Sequence, residues 1–131
     1  MSQLNELRQR IGKMLLTWSI TSIIVGIILL FGSPGTILGG IGLQAIIWGL
    51  IDAFIVYYIL AKQKEESVEK ITRTVYKSIG MDIAYQIIGL IVLVLFFQDS
   101  YIAGNGIGII IQGFFLLLLD IYYYRSLKEL G

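Results

Sequence analysis

Four long apolar stretches alternate with short polar segments along the chain. They run from about Met14 to Phe31, from Thr36 to Leu60, from Ile79 to Phe97 and from Tyr101 to Tyr124. Each is close to the ~20 apolar residues that an α-helix needs to cross a hydrocarbon core. The pattern therefore predicts four membrane-spanning helices, joined by two short turns and one longer connection.

The chain reads as a single membrane domain, residues 1–131, with five parts. They are an amphipathic N-terminal segment at 1–13, a first hairpin at 14–60, a cytoplasmic linker at 61–78, a second hairpin at 79–124 and a tail at 125–131. Apolar residues recur at helical spacing in the first part and in the linker: Leu4, Leu7 and Ile11, then Val68, Ile71 and Val75. We expect these segments to form a helix that lies at the membrane interface or extends the second span into the cytoplasm; the alternative is a helix that binds a partner protein.

All ten lysines and arginines lie at one end of the predicted bundle. They precede the first span, occupy the linker or follow the fourth span, and neither short turn carries one. The positive-inside rule then places both termini and the linker in the cytoplasm. We expect a multi-pass protein of the bacterial cytoplasmic (inner) membrane.

The amino-acid composition also indicates a membrane protein, and it excludes several classes of functional site. The chain is 56% hydrophobic and 15% charged, and a small soluble domain exposes too much surface to hide so many apolar side chains. A net charge of +1 gives no basic field for nucleic acid. Histidine and cysteine are absent, which removes sites that need His or Cys ligands and His-based catalytic triads. We expect no enzyme activity, no cofactor, no metal site and no nucleic-acid partner.

The two predicted hairpins resemble each other. An aspartate follows a glutamine by eight residues in both, Gln44 with Asp52 and Gln112 with Asp120, at an offset of 68. Because each unit contains two spans, both copies enter and leave on the same side, as parallel repeats. The predicted fold is an all-α integral membrane protein: an antiparallel four-helix transmembrane bundle of two tandem parallel-repeat hairpins.

Three aspartates, Asp52, Asp82 and Asp120, lie within or at the edge of the spans, in their cytoplasmic halves. An ionisable group in a span costs ~2.5–3.5 kcal/mol on insertion scales and suggests function by default. Structural explanations compete. Asp82 falls in the first turn of the third helix if Ser78 caps it, and Asp120 is followed by tyrosines and Arg125. Asp52 has no basic neighbour on its own helix.

Amide and aromatic side chains extend this polar set. One interpretation is a bundle held together by interhelical hydrogen bonds, worth ~0.6–2 kcal/mol each. The other is a polar pocket that opens to the cytoplasm. Its candidate ligand-binding residues are Asp52, Asp120, Gln44, Gln112, Tyr85, Asp82 and Gln86.

The second half carries a motif that resembles a known family. It reads Gly80-Met81-Asp82 with Tyr85, then Gln112-Gly113-Phe114-Phe115-Leu116-Leu117, Asp120 and Tyr124. The motif is similar to that of a bacterial family of small four-span membrane proteins, a domain of unknown function. The first half is similar at Trp18, Gly26 and Trp48, but has Asp52 where the family pattern leads us to expect Asn. The resemblance implies the four-span fold and brings no activity with it.

Two functions follow from these residues. The first is a small membrane protein that binds or conducts an ion or small molecule through the Asp/Gln/Tyr pocket, as a transporter or channel subunit does. The alternative is a non-catalytic structural, assembly or signalling subunit that acts through protein partners. Four short spans leave little room for a conduction path in one chain, so we also expect a parallel homodimer in the lipid bilayer.

Overall fold

The computed structural model describes residues 2–130, which form four long α-helices. These are α1 (Ser2–Gly32), α2 (Ile37–Tyr57), α3 (Val68–Leu95) and α4 (Ser100–Leu130). A π-helical turn at Tyr58–Lys62 and a 3-10 turn at Gln63–Glu65 continue α2, and residues 2–130 contain no strand. The prediction of an all-α chain with four helices is confirmed.

Each of the four helices is long and apolar enough to cross a membrane. The helices also extend beyond the predicted spans: α1 starts at Ser2, α3 starts at Val68, and α4 continues to Leu130. The predicted N-terminal segment, most of the linker and the tail are therefore continuations of the long helices. The physical reason is that lysine and arginine lower the hydropathy of a segment without lowering its helix propensity.

The start of α3 corrects one prediction. Ser67, and not Ser78, caps this helix, because its hydroxyl accepts a hydrogen bond of 3.1 Å from the Lys70 N–H. Ser78 lies inside α3, where its hydroxyl donates to the carbonyl oxygen of Thr74 at 3.1 Å. Asp82 is thus about four turns into the helix, and the helix N-terminus does not explain its burial.

The helices are arranged as two hairpins that meet through their second members. α1 packs along α2, α3 packs along α4, and α2 packs against α4. α1 also touches α4, whereas α3 makes no more than isolated contacts with α1 and α2. A gap is therefore left between α2 and α3.

Close backbone approaches hold each hairpin together. A Cβ added to Gly26 would lie 2.6 Å from the carbonyl oxygen of Gly42, and one added to Gly89 would lie 2.9 Å from that of Gly106. If the two contacts are matched to each other, the register between the hairpins has an offset of 63 or 64 residues. That register is one helical turn away from the offset of 68 that the Gln–Asp pairs suggest.

The large apolar core lies at one end of the bundle. We call this the basic end, because it holds all ten lysines and arginines; the opposite, hairpin end holds the turns at 33–36 and 96–99. The core consists of Leu4, Leu7, Ile11, Leu15, Val56, Ile59, Ile71, Val75, Leu116, Leu119, Tyr123 and Leu127. The apolar faces of the N-terminal segment and the linker are therefore largely buried inside the chain itself.

Toward the hairpin end the organisation is reversed. Small residues lie where the helices are in contact, while large apolar side chains point outward, with Phe31 76% and Phe97 67% exposed. In water such a surface would be unfavourable, but a hydrocarbon solvent suits it.

Candidate functional site

Three carboxyl groups from three helices meet near the basic end. Asp82 of α3 and Asp120 of α4 lie within hydrogen-bonding reach of each other, and Asp52 of α2 lies within electrostatic range of both. Two carboxyl groups form a hydrogen bond only when one of them carries a proton, because an ionised carboxylate has no donor. The packing of α4 against both α2 and α3 brings the three together.

Two of these carboxyl groups, those of Asp52 and Asp82, are buried and have oxygens without a hydrogen-bond partner. Asp52 is 0% exposed and Asp82 is 3% exposed. Neither oxygen of Asp52 has a hydrogen-bond partner, and the Oδ2 atom of Asp82 has none. A buried polar atom left unpaired costs about 1–3 kcal/mol, and more when it is charged. Groups at this cost call for a functional explanation.

Within the described residues, the negative charge of the three aspartates is not balanced by ion pairs with basic side chains. Within residues 2–130 there is one ion pair, between the Lys70 Nζ and the Glu66 Oε2 at 3.1 Å, and it does not involve these aspartates. The same part of the chain contains no group of three or more carboxylates arranged to hold a metal ion. The carboxyl groups are close enough to interact, yet they do not form a coordination cage.

A cavity of about 140 Å³ lies beside Asp82 and Asp120. We call it the inner cavity. Trp48 and Tyr85 form one wall, with ring centroids 4.7 Å apart in an edge-to-face arrangement. Its remaining lining residues are Ser78 and the apolar Ile11, Leu15, Ile51, Ile55, Ile59, Met81, Leu116 and Leu119. Asp52 does not line it.

A larger cavity of about 370 Å³ adjoins the first. We call it the outer groove, and it follows the gap between α2 and α3. The two cavities share Ile51, Ile55, Ile59, Ser78 and Asp120. The other residues of the outer groove are Phe54, Tyr58, Gln63, Thr74, Val75 and Tyr123. The described residues lining these two cavities include no lysine and no arginine.

The predicted glutamines have a different role. Gln112 accepts a hydrogen bond from the Trp18 Nε1 at 2.8 Å and donates to the Ser22 hydroxyl at 3.3 Å. Gln86 donates through Nε2 to the carbonyl oxygen of Ile110 at 3.1 Å. These bonds join different helices, and neither glutamine lines the inner cavity or the outer groove.

Gln44 behaves in the same way. Its Nε2 donates to the Asn105 Oδ1 at 2.8 Å, and its Oε1 accepts from the Trp48 Nε1 at 3.1 Å. It lies eight residues before Asp52, about 12 Å along the helix. The seven residues of the predicted pocket therefore do not form one site. Asp82, Asp120 and Tyr85 line the inner cavity, and Asp52 lies next to it. The three glutamines instead form hydrogen bonds between helices.

Sequence reasoning missed a second polar layer at the basic end. Arg8 is buried and donates to the carbonyl oxygen of Ile59, in the π-helical turn, at 3.2 Å. The Tyr123 hydroxyl donates to the Gln63 Oε1 at 2.7 Å. One signal was available, because Arg8 falls on the helical stripe of Leu4, Ile11 and Leu15 and so faces the core. The π-helical turn has no such signal.

The model of a family of unknown function, DUF6992, matches residues 14–121. No curated protein and no solved structure matches the chain significantly. The matched region contains all three aspartates and both members of the aromatic wall.

Proposed function

Because the chain belongs to DUF6992, a family of unknown function, we propose its function from its own geometry: it binds or conducts a cation or a small molecule through the inner cavity. The observation that carries this proposal is that two carboxyl groups, Asp82 and Asp120, line the inner cavity, and that the Oδ2 atom of Asp82 is buried without a hydrogen-bond partner in the chain. A structural role would leave such oxygens satisfied by donors of the chain. Here the donors are missing, and a ligand can supply them.

The chemistry available at this site is exchange of a proton for a cation. In this proposal, one proton held between the Asp82 and Asp120 carboxyl groups balances part of the negative charge of the site before a cation enters. A cation that enters the cavity supplies positive charge in its place, so the shared proton leaves to solvent. Binding is then coupled to proton release, which is the elementary step of a proton-linked carrier or sensor.

The setting of the site is a membrane. Four helices are long and apolar enough to cross it, and the lysines and arginines at one end favour a cytoplasmic basic end with both termini there. The inner cavity would then open near the cytoplasmic surface of a bacterial inner membrane. Equivalent glycine contacts in the hairpins support two parallel repeats, which argues against a mechanism that rocks inverted repeats around a midplane site.

A test measures charge movement directly. Proteoliposomes on a solid-supported membrane receive concentration jumps of H⁺, Na⁺, K⁺ and methylammonium. We expect a saturable current for at least one of these cations, reduced severalfold in Asp52→Asn and Asp120→Asn. The matched control is Asp99→Asn, the same change at the hairpin end, where Asn still caps a helix well. An unchanged current in both test variants contradicts the proposal.

The second candidate is a non-catalytic subunit that acts through protein partners, and a parallel homodimer belongs to either proposal. The amphipathic linker at 61–78 suggests this alternative, because an apolar helix face can bind a partner protein. Ile71 and Val75 pack within the core of the same chain, so this face is not available to a partner. We therefore rank the binding function first.

A further inference from the structure

We propose that the inner cavity and the outer groove together bind an amphiphilic organic amine in its ammonium form, with its N–H groups on Asp82 and Asp120. This inference rests on the proposed function and deepens it, because it names the chemical class of the ligand. Three properties of the site support it: its size, its charge and its aromatic lining.

The size of the site indicates an organic molecule. An apolar cavity of about 150 Å³ accommodates a benzene-sized ligand, and the inner cavity measures about 140 Å³. The outer groove adds about 370 Å³ and shares five lining residues with it. A bare alkali cation would leave most of this space empty. A ring or a short alkyl chain in the inner cavity with a longer substituent in the groove would fill it.

The charge of the site selects a cation that donates hydrogen bonds. Asp82 and Asp120 are the charged residues among those that line the two cavities. The Oδ2 atom of Asp82 is buried beside the inner cavity and has no partner in the chain. An ammonium group carries N–H donors and a compact positive charge, so it satisfies both needs. An anion would meet like charge and find no basic side chain in the lining.

A divalent metal ion fits the site less well. Calcium takes six to eight oxygen ligands and magnesium demands octahedral geometry. The described part of the chain has no carboxylate group of that kind, and most of the cavity lining is apolar. The site therefore offers one or two oxygens to a charged head and a hydrocarbon wall to the rest of the ligand.

Aromatic side chains line the route from the surface to the carboxyl groups. Trp48 and Tyr85 form the inner wall, and Phe54, Tyr58 and Tyr123 line the outer groove. Aromatic faces attract ammonium groups, most strongly where water is excluded. Phe54 and Tyr58 are also exposed on the outside of the bundle, so the groove opens sideways. An amphiphilic amine concentrated at the bilayer surface could enter from there.

The test compares an amine with its neutral counterpart. Benzylamine and benzyl alcohol have nearly the same shape, but only the amine is charged at pH 7. Trp18→Phe leaves Trp48 as the one tryptophan of the chain, so its fluorescence in lipid nanodiscs reports occupancy of the inner cavity. In this background we compare Asp82→Asn with the matched control Asp99→Asn.

We expect benzylamine to give a saturable change in Trp48 fluorescence and to bind about tenfold more tightly than benzyl alcohol, since a charged hydrogen bond contributes about 1.5–3 kcal/mol. Asp82→Asn should remove this difference, and Asp99→Asn should preserve it. Ser78→Leu, which fills the junction of the two cavities, should weaken binding of both compounds. Far-ultraviolet circular dichroism checks that each variant is folded.

Four outcomes would overturn the inference. Equal affinity for the amine and the alcohol would mean that the cavity selects shape and not charge. Equal amine binding in Asp82→Asn and Asp99→Asn would mean that the signal reports partition into the bilayer. If benzylamine does not bind while Asp120→Asn still reduces the current carried by small cations, the inference fails and the proposed function stands. Loss of every carboxyl-dependent response rejects both.

Discussion

At the scale of single residues, the sequence shows that three aspartates lie in the apolar stretches, but it does not show which groups surround them. An ionisable residue inside an apolar stretch is visible in the sequence, and the structure brings all three aspartates close together where α4 packs against α2 and α3. The sequence also favoured a helix-terminus explanation for Asp82, which is wrong because α3 starts at Val68. Two serines, Ser67 and Ser78, are equally good caps by residue type, and only the fold decides between them.

Asp52 should lower the stability of the protein. Both of its oxygens are buried without a partner, so Asp52→Leu exchanges an unsatisfied polar group for an apolar side chain with the same branching. We expect the free energy of unfolding to rise by about 1–3 kcal/mol. Denaturant titration in detergent micelles, followed by tryptophan fluorescence, measures the change.

The control for this experiment is Asp99→Leu, which removes the cap that Asp99 gives to Ile102 at the start of α4. Its loss should cost about 1 kcal/mol. If Asp52→Leu is as destabilising as Asp99→Leu, Asp52 has a structural partner and our account of its burial is wrong.

At the scale of helices, the sequence predicts how many long helices there are but not where each of them begins and ends. Apolar stretches of about twenty residues are an unambiguous signal, and all four predicted helices are present. The helical periodicity of Val68, Ile71 and Val75 was also recognised. Its continuity with the third span was missed, because Lys70 and Arg73 interrupt the apolar run while the helix continues through them.

The glycine contacts give a prediction at this scale. Gly26→Ala and Gly89→Ala each place a methyl group against the carbonyl oxygen of a partner helix, Gly42 and Gly106 respectively. Overpacking of this kind costs about 1–3 kcal/mol, and the two variants should lose similar stability because the two contacts are alike. Denaturant titration measures both.

Gly80→Ala is the matched control. An added Cβ at Gly80 meets no atom within 4 Å, and alanine has the higher helix propensity, by up to ~1 kcal/mol. It should be neutral or stabilising. A loss at Gly80 equal to that at Gly26 would show that the backbone contacts do not determine the effect.

At the scale of the whole molecule, the site exists because the interface between the two hairpins is asymmetric: α1 contacts α4, but α3 barely contacts α2. On one side α1 closes onto α4, where the rings of Trp18 and Phe115 stack 4.1 Å apart. On the other side α3 stands away from α2, and the rings of Trp48 and Tyr85 meet edge to face across the space between them. The inner cavity and the outer groove occupy this difference.

The sequence could not show this asymmetry. Helical periodicity tells which residues share a face of one helix, but not how far two faces are apart. It therefore grouped Gln44 and Gln112 with the aspartates in one pocket, although they are engaged in hydrogen bonds between helices nearer the hairpin end. It also pointed to Ser78 as a helix cap, whereas this residue lies where the two cavities join.

Native mass spectrometry of the protein released from nanodiscs of its own membrane lipids tests the central claim most directly. If the buried carboxyl groups hold a cationic ligand, the parent chain and Asp99→Asn should retain one discrete small mass per chain. The double variant Asp82→Asn, Asp120→Asn should lose it. A parent chain that carries no added mass, or a mass that the double variant keeps, would contradict the account.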